Sequence, residues 1–180
     1  MKKVAILRGI NVGGKRKMLM AGLKSLLLNL GYTDVCTYIQ SGNVVFETDI
    51  KKDNLQIAEE LASAINNQYG FDVPVIVREG REIEEIVTKN PFSSACEAER
   101  LHVVFLKEVP FPELIGEIEQ YDFSPDKLEF FNQHVFIYCS GKYSDSKLTN
   151  RFFESKLKVS TTTRNWKTVL KLSELSQYEK

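Results

Sequence analysis

The segment RGINVGGKR at residues 8–16 packs three glycines and four polar side chains between a strand-like run and a helix-like run. Such a loop suits an anion. Glycine lets backbone N–H groups come close to a bound group, and the first turn of a following helix leaves N–H groups unpaired and partly positive. Gly9, four residues, then Gly14 and Lys15 also match the G-x-x-x-x-G-K portion of a nucleotide phosphate loop. Arg16 breaks that match, because it stands where a Ser or Thr would ligate Mg²⁺ and its guanidinium would repel the metal. The loop therefore points to anion binding more than to an ATPase.

The elements around the loop decide what it can meet. Residues 3–9 read as a strand. Residues 18–30 read as a helix with Leu19, Leu23, Leu26, Leu27 and Leu30 on one face and Gly31 as its stop. Gly22 interrupts that helix at a cost of about 1 kcal/mol relative to Ala, which a close helix–sheet contact would explain. Residues 35–40 and 43–47 read as a hairpin around Ser41 and Gly42. Asp53 with Gln56 forms a capping-box variant opening a second helix, whose Leu55, Ala58, Leu61, Ala62 and Ile65 recur at helical spacing. A fourth strand is expected at 73–77. The order β-α-β-β-α-β is that of a ferredoxin-like, or split βαβ, unit. In that topology the first strand lies antiparallel to the third, so the glycine loop meets the turn before the third strand. Arg8, Asn11, Gly13, Gly14 and Lys15 are thus expected to share one rim with Gln40, Ser41 and Asn43.

The second half repeats the pattern less completely. A connecting helix is expected at 81–89, a strand at 101–107, a helix at 112–121, a hairpin from 128–131 and 135–139, and a helix at 147–158 with Leu148, Phe152 and Leu157 inward. A final helix is expected after Thr163, with Trp166, Val169, Leu170 and Ser173 at i, i+3, i+4, i+7. Thr163 as N-cap would leave Arg164 and Asn165 in a first turn, where free N–H groups beside a guanidinium suit an anion. No fourth strand is evident. The expected fold class is α+β. Two ferredoxin-like subdomains with antiparallel sheets would occupy 1–80 and 81–180, the second incomplete, with a C-terminal helix appended.

Charge is balanced overall but segregated along the chain. Twenty-four basic and twenty-four acidic residues cancel. Yet the first 24 residues hold Lys2, Lys3, Arg8, Lys15, Arg16, Lys17 and Lys24 and no acidic residue, and residues 141–171 hold eight basic residues against Asp145 and Glu154. A basic surface on a neutral protein would gather anions locally. After Lys2 and Lys3 only Val4 to Leu7 are apolar before Arg8, too few for a signal-peptide core or a spanning helix, so a cytoplasmic protein is expected. Cys36, Cys96 and Cys139 are odd in number and far apart, which suggests reduced, mostly buried thiols and neither a disulfide framework nor a zinc site. His102 and His134 read as satisfied structural histidines. No cofactor is implied.

Three segments together resemble one bacterial family of uncharacterised function, the domain-of-unknown-function 1697 family: RGINVGG at 8–14, TYIQSGNVVF at 37–46 and TTRNWKTVLKL at 162–172. They span both ends of the chain, which departs from the family's usual wording at Gly22. The resemblance implies a pair of ferredoxin-like α/β subdomains in a small cytosolic protein. It implies no activity.

The leading functional expectation is a module that binds a small anionic ligand, a nucleotide or phosphorylated metabolite. Its residues would be Arg8, Asn11, Gly13, Gly14, Lys15, Gln40, Ser41 and Asn43, joined by Arg164 and Asn165. An RNA-binding module is the alternative, with Tyr38 and Phe46 on strands and basic chain ends, although the aromatic-rich RNA signature is missing. A phosphate-handling enzyme is less favoured, since the clusters hold amides, hydroxyls and arginines but no acid or histidine, and only Asp72 would reach the rim as a base. A structural protein pairing through exposed sheet edges into a homodimer is the fourth reading.

Overall fold

A computed structural model of the chain describes residues 1–49 and 51–177, so the last three residues of the expected second subdomain lie outside the description. It divides into two compact units, Met1–Ile86 with Lys171–Lys180, and Val87–Leu170. The first contains β1 (Lys2–Leu7), α1 (Met20–Asn29), β2 (Thr33–Tyr38), β3 (Asn43–Glu47), α2 (Asn54–Tyr69) and β4 (Val75–Glu79). Then α3 (Gly80–Lys89) crosses the division, and β5 (Leu101–Leu106), α4 (Pro112–Glu119), β6 (Lys127–Phe131), β7 (His134–Tyr138), α5 (Asn150–Leu157) and β8 (Thr161–Asn165) follow. The last helix, α6 (Trp166–Ser176), crosses the division again.

Each unit carries one four-stranded antiparallel sheet, in the orders β2-β3-β1-β4 and β6-β7-β5-β8. Both are the split βαβ arrangement. In the first, alternate residues Ala5, Leu7, Val44, Phe46, Val75 and Val77 face α1 and α2. Those helices supply Leu23, Leu26 and Leu27, and Ile57, Ala58, Leu61 and Ile65. The capping box at Asp53 and Gln56 forms in full. Gly22 has a different cause from the expected one, since a Cβ there would run into the Tyr69 hydroxyl at the end of α2. The close approach is helix to helix. Phe46 stands in this core with its ring centroid 4.8 Å from that of Tyr32, so it offers no face to a nucleic-acid base.

The second unit is more complete than its sequence suggests. β8 pairs with β5 along Thr161–Asn165 and supplies the missing fourth strand. Three consecutive β-branched threonines followed by Arg164 resemble a cap and first turn, but their branched side chains fit a pleated surface better than a helix. The core combines Val104, Leu106, Val135 and Ile137 with Ile118 of α4 and Leu148, Phe153 and Leu157 around α5. Phe153, not Phe152, is the fully buried aromatic of α5, and Leu172 replaces the exposed Leu170 on the inner face of α6. Of the thiols only Cys139 is buried; Cys96 is half-buried and Cys36 exposed.

His102 is not the satisfied histidine expected. It is buried in β5 against the Tyr143 ring, at 4.5 Å between centroids, and its Nδ1 has no hydrogen-bond partner. Burial pushes its pKa below the ordinary histidine value, against an opposing backbone interaction with Arg100. The folded state therefore refuses a proton that the unfolded chain accepts. Stability should be unaffected above the unfolded value of about 6.5 and fall as pH drops below it, by at most about 1.4 kcal/mol per pH unit, until folded His102 itself titrates. Urea unfolding between pH 7.5 and 5 should show this slope. His102→Phe, which keeps the ring stack, should remove that share of it.

Candidate functional site

Between β1 and α1 the chain does not run directly into a helix. Residues 8–19 first fold back on themselves. Lys15 N–H donates to the Val12 carbonyl at 3.0 Å and Asn11 N–H to the Arg16 carbonyl at 3.2 Å, with Val12 and Lys15 bridged. Gly13 and Gly14 at the tip have φ of 58° and 73°. Two positive φ values at the centre of a two-residue turn define a type I′ hairpin, which a Gly-Gly pair adopts without Cβ strain. The segment is therefore a small β-arch, not a phosphate loop leading into a helix. Helix α1 begins only at Met20, after Lys17, Met18 and Leu19, and no side chain caps it.

The arch meets the turn before β3, as the topology requires. Leu7 N–H donates to the Gly42 carbonyl at 2.8 Å, and on the other side Arg8 N–H donates to the Pro74 carbonyl at 3.0 Å. Asn11 fastens the assembly. Its Nδ2 donates to the carbonyls of Met18 and Gln40, both at 2.9 Å, and its Oδ1 accepts from Met18 N–H at 2.8 Å. Buried Ile10 lies beneath Gly42. Asn43 is fully buried, its Nδ2 donating to the Tyr38 carbonyl at 3.0 Å and to Ser41 Oγ at 3.2 Å.

Arg8, Asn11, Gly13, Gly14, Lys15, Gln40 and Ser41 thus lie on two connected loops of one unit, with Asn43 at the start of β3 beside them. Asn11 and Asn43 spend their amide groups on the protein itself and act as fasteners. Lys15, Arg16 and Lys17 are exposed, and none forms an ion pair among the described residues. Arg16 folds over Gly9, where a Cβ would lie 3.1 Å from its Nη1. Arg16, Lys17 and Ile10 were missing from the site expected from sequence. The signal was present as the unbroken KRK run and one large apolar residue among glycines. Asp72 accepts a hydrogen bond from Asn66 Nδ2, as a turn residue would.

Arg164 and Asn165 belong to the other unit. Arg164 is a buried strand residue whose Nη1 donates to Thr162 Oγ1 and to the Thr163 carbonyl, each at 3.0 Å. Burial brings its pKa down to about 10, which leaves it charged at neutral pH. Asn165, not Thr163, caps α6, its Oδ1 accepting from Thr168 N–H at 2.8 Å. Arg78 occupies the corresponding place in β4, opposite Val4 as Arg164 is opposite Val103, and burial likewise brings its pKa down to about 10. The two arginines are equivalent positions of a structural repeat.

The repeat supplies an internal control for the arch. In the second unit the same edge closes in the same way, with Leu106 N–H donating to the Gln133 carbonyl and Lys107 N–H to the Ser160 carbonyl. There β5 reaches α4 through residues 107–111, five residues, where β1 reaches α1 through twelve, 8–19. The topology does not need the additional length.

Residues 1–136 match the model of a family described as protein of unknown function (DUF1697). The chain belongs to this family. A solved structure, that of a conserved bacterial protein from Streptococcus pneumoniae, is similar to the DUF1697 chain at 26% identity and a TM-score of 0.77, covering 98% of each. At that coverage the likeness spans both units. No curated protein matches the DUF1697 chain. Among the described residues no helix is long and apolar enough to cross a membrane, and no group of His, Cys, Asp and Glu is arranged to hold a metal ion.

Proposed function

We propose that this DUF1697 protein is a cytosolic binding module for a small anionic ligand, a nucleotide or phosphorylated metabolite, held at the glycine-arch rim. The carrying observation is the arch itself. A connection that the second unit makes in five residues is extended here to twelve, and the extension presents Lys15, Arg16 and Lys17 unpaired on a fastened hairpin. Long ordered connections in compact domains are characteristically functional. Arg8 and the exposed Gly13 and Gly14 N–H groups would complete the anion's surroundings, and charge-assisted hydrogen bonds to them are the strong kind. Asn11 and Asn43 hold the shape, and Arg164 with Asn165 structures the other unit.

Thermal-shift titration with ATP, pyrophosphate and inorganic phosphate tests the proposal. A ligand at 100 times its Kd should add about 2.7 kcal/mol of stability. Changing Lys15, Arg16 and Lys17 together to Gln should leave the unliganded Tm unchanged and weaken binding at least 100-fold, as three charge-assisted contacts of about 1.5 kcal/mol each would require. Stabilisation that survives the triple substitution would place the site elsewhere. No stabilisation by any of the three would reject the reading.

A further inference from the structure

A cavity in the Val87–Leu170 unit has chemistry opposite to that of the rim. It is an open cleft of about 440 Å³ between the end of α4, the segment following it and the edge strand β6. Its walls carry the rings of Phe92, Tyr121, Phe123 and Phe130. Its carboxylates are Glu119, Asp122, Asp126 and Glu129, against Lys127 as the one cation among the lining residues. Among the lining residues three negative charges are in excess, of which Lys156, held against the Tyr121 ring, offsets one.

The aromatic wall is ordered by its own contacts. Tyr121 and Phe123 stack at 5.9 Å, and Phe123 meets Phe152 edge-on at 5.5 Å. Lys156 Nζ already lies 4.9 Å from the Tyr121 ring centroid, a cation held against this cluster by the chain itself. The acidic side is ordered too. Asp126 accepts from Ser140 N–H and Oγ and from Ser146 Oγ, at 2.7–2.9 Å. Burial alone would raise its pKa, but these donors hold it below the usual carboxylate value. Asp122 accepts from Ser124 N–H at 2.9 Å. Glu119 and Glu129 are exposed and enter no ion pair among the described residues.

Ring faces and carboxylates select the same guest. The π-face attracts cations by its quadrupole, and the carboxylates do so by their charge. The aromatic part of the wall suits a guest with an apolar body, and the volume lies in the range of small-molecule sites. We propose that this cavity binds a small organic ammonium, an amine or quaternary nitrogen carried on an apolar group. Nothing in it depends on the rim, so either proposal stands if the other fails.

Calorimetric titration of the full chain with benzyltrimethylammonium and phenethylamine tests it, with phenylacetate and 2-phenylethanol as anionic and neutral counterparts. Saturable binding of both cations is expected, with phenylacetate and 2-phenylethanol at least tenfold weaker. The double variant Glu119→Gln/Glu129→Gln alters only exposed side chains. It should keep its Tm and bind the cations at least fivefold more weakly, while Phe123→Ala should abolish binding if it folds. Equal affinity for cation and neutral counterpart, no effect of the double variant, or no saturation by either cation would overturn the proposal.

Discussion

Gly42→Ala is expected to lower stability by about 3 kcal/mol, the sum of two effects at one atom. The first is conformational. Gly42 has φ of 83°, and a side chain in the left-handed region costs about 1–2 kcal/mol. The second is steric. A Cβ would lie 2.7 Å from Ile10 Cδ1 and 2.9 Å from Leu7 Cβ, and both residues are only 1% exposed, so neither can retreat into solvent. Overpacking of this kind typically costs 1–3 kcal/mol. The Gly42 carbonyl also receives Leu7 N–H, so strain passes directly to the end of β1. Urea denaturation should show a lower midpoint with an unchanged m value. Ile10→Val, which removes the offending methyl, should be non-additive with Gly42→Ala and recover about 1 kcal/mol, because contacting residues couple. Strict additivity would assign the cost to backbone conformation and the Leu7 contact, and none of it to Ile10.

The first unit was legible because its local signals agree with its topology. Leu23, Leu26 and Leu27 repeat at helical spacing, Asp53 and Gln56 cap, and Gly70 ends α2 in the left-handed conformation. The second unit hid β8. Thr161, Thr162 and Thr163 are as suitable for a cap as for a strand, and only the pairing of Thr163 with Val104 and of Arg164 with Val103 settles which. That pairing is separated by about sixty residues in sequence and leaves no local trace. Once β8 is in place the second sheet is complete, which removes the incomplete repeat as a motive for pairing with another chain.

The candidate site was partly legible for a related reason. Topology alone brought the glycine loop to the Ser41-Gly42 turn, because β1 must lie beside β3 in a split βαβ unit. The roles inside the loop were less visible. Composition reads Asn11 and Asn43 as polar groups available to a ligand, whereas hydrogen-bond accounting shows both amides occupied by backbone carbonyls. Composition equally under-reads Arg16 and Lys17, because a basic run on a surface is usually only solvated. What sets them apart is the hairpin that displays them, and that hairpin depends on two consecutive positive φ values.

Asn11→Ala is expected to cost about 4 kcal/mol, roughly 3 from three hydrogen bonds of about 1 kcal/mol each and about 1 because Ala disfavours a φ of 55°. Asn11→Gly separates the two causes. Glycine accepts the backbone angle but supplies no amide, so this variant should recover only about 1 kcal/mol and remain clearly less stable than the parent protein. Amide exchange at Met18, whose N–H donates to Asn11 Oδ1, should accelerate in both variants. The same loss should reach the anion. With the Met18 and Gln40 tethers gone, the hairpin bearing Lys15, Arg16 and Lys17 is no longer fixed to the β3 turn, and any ligand must order it on binding. Side-chain and loop ordering costs of this size weaken affinity by about tenfold without removing a single charge. If Asn11→Gly retained both full stability and the parent affinity, the arch would be held by its Gly13-Gly14 turn alone, and Asn11 would not be a fastener of the site.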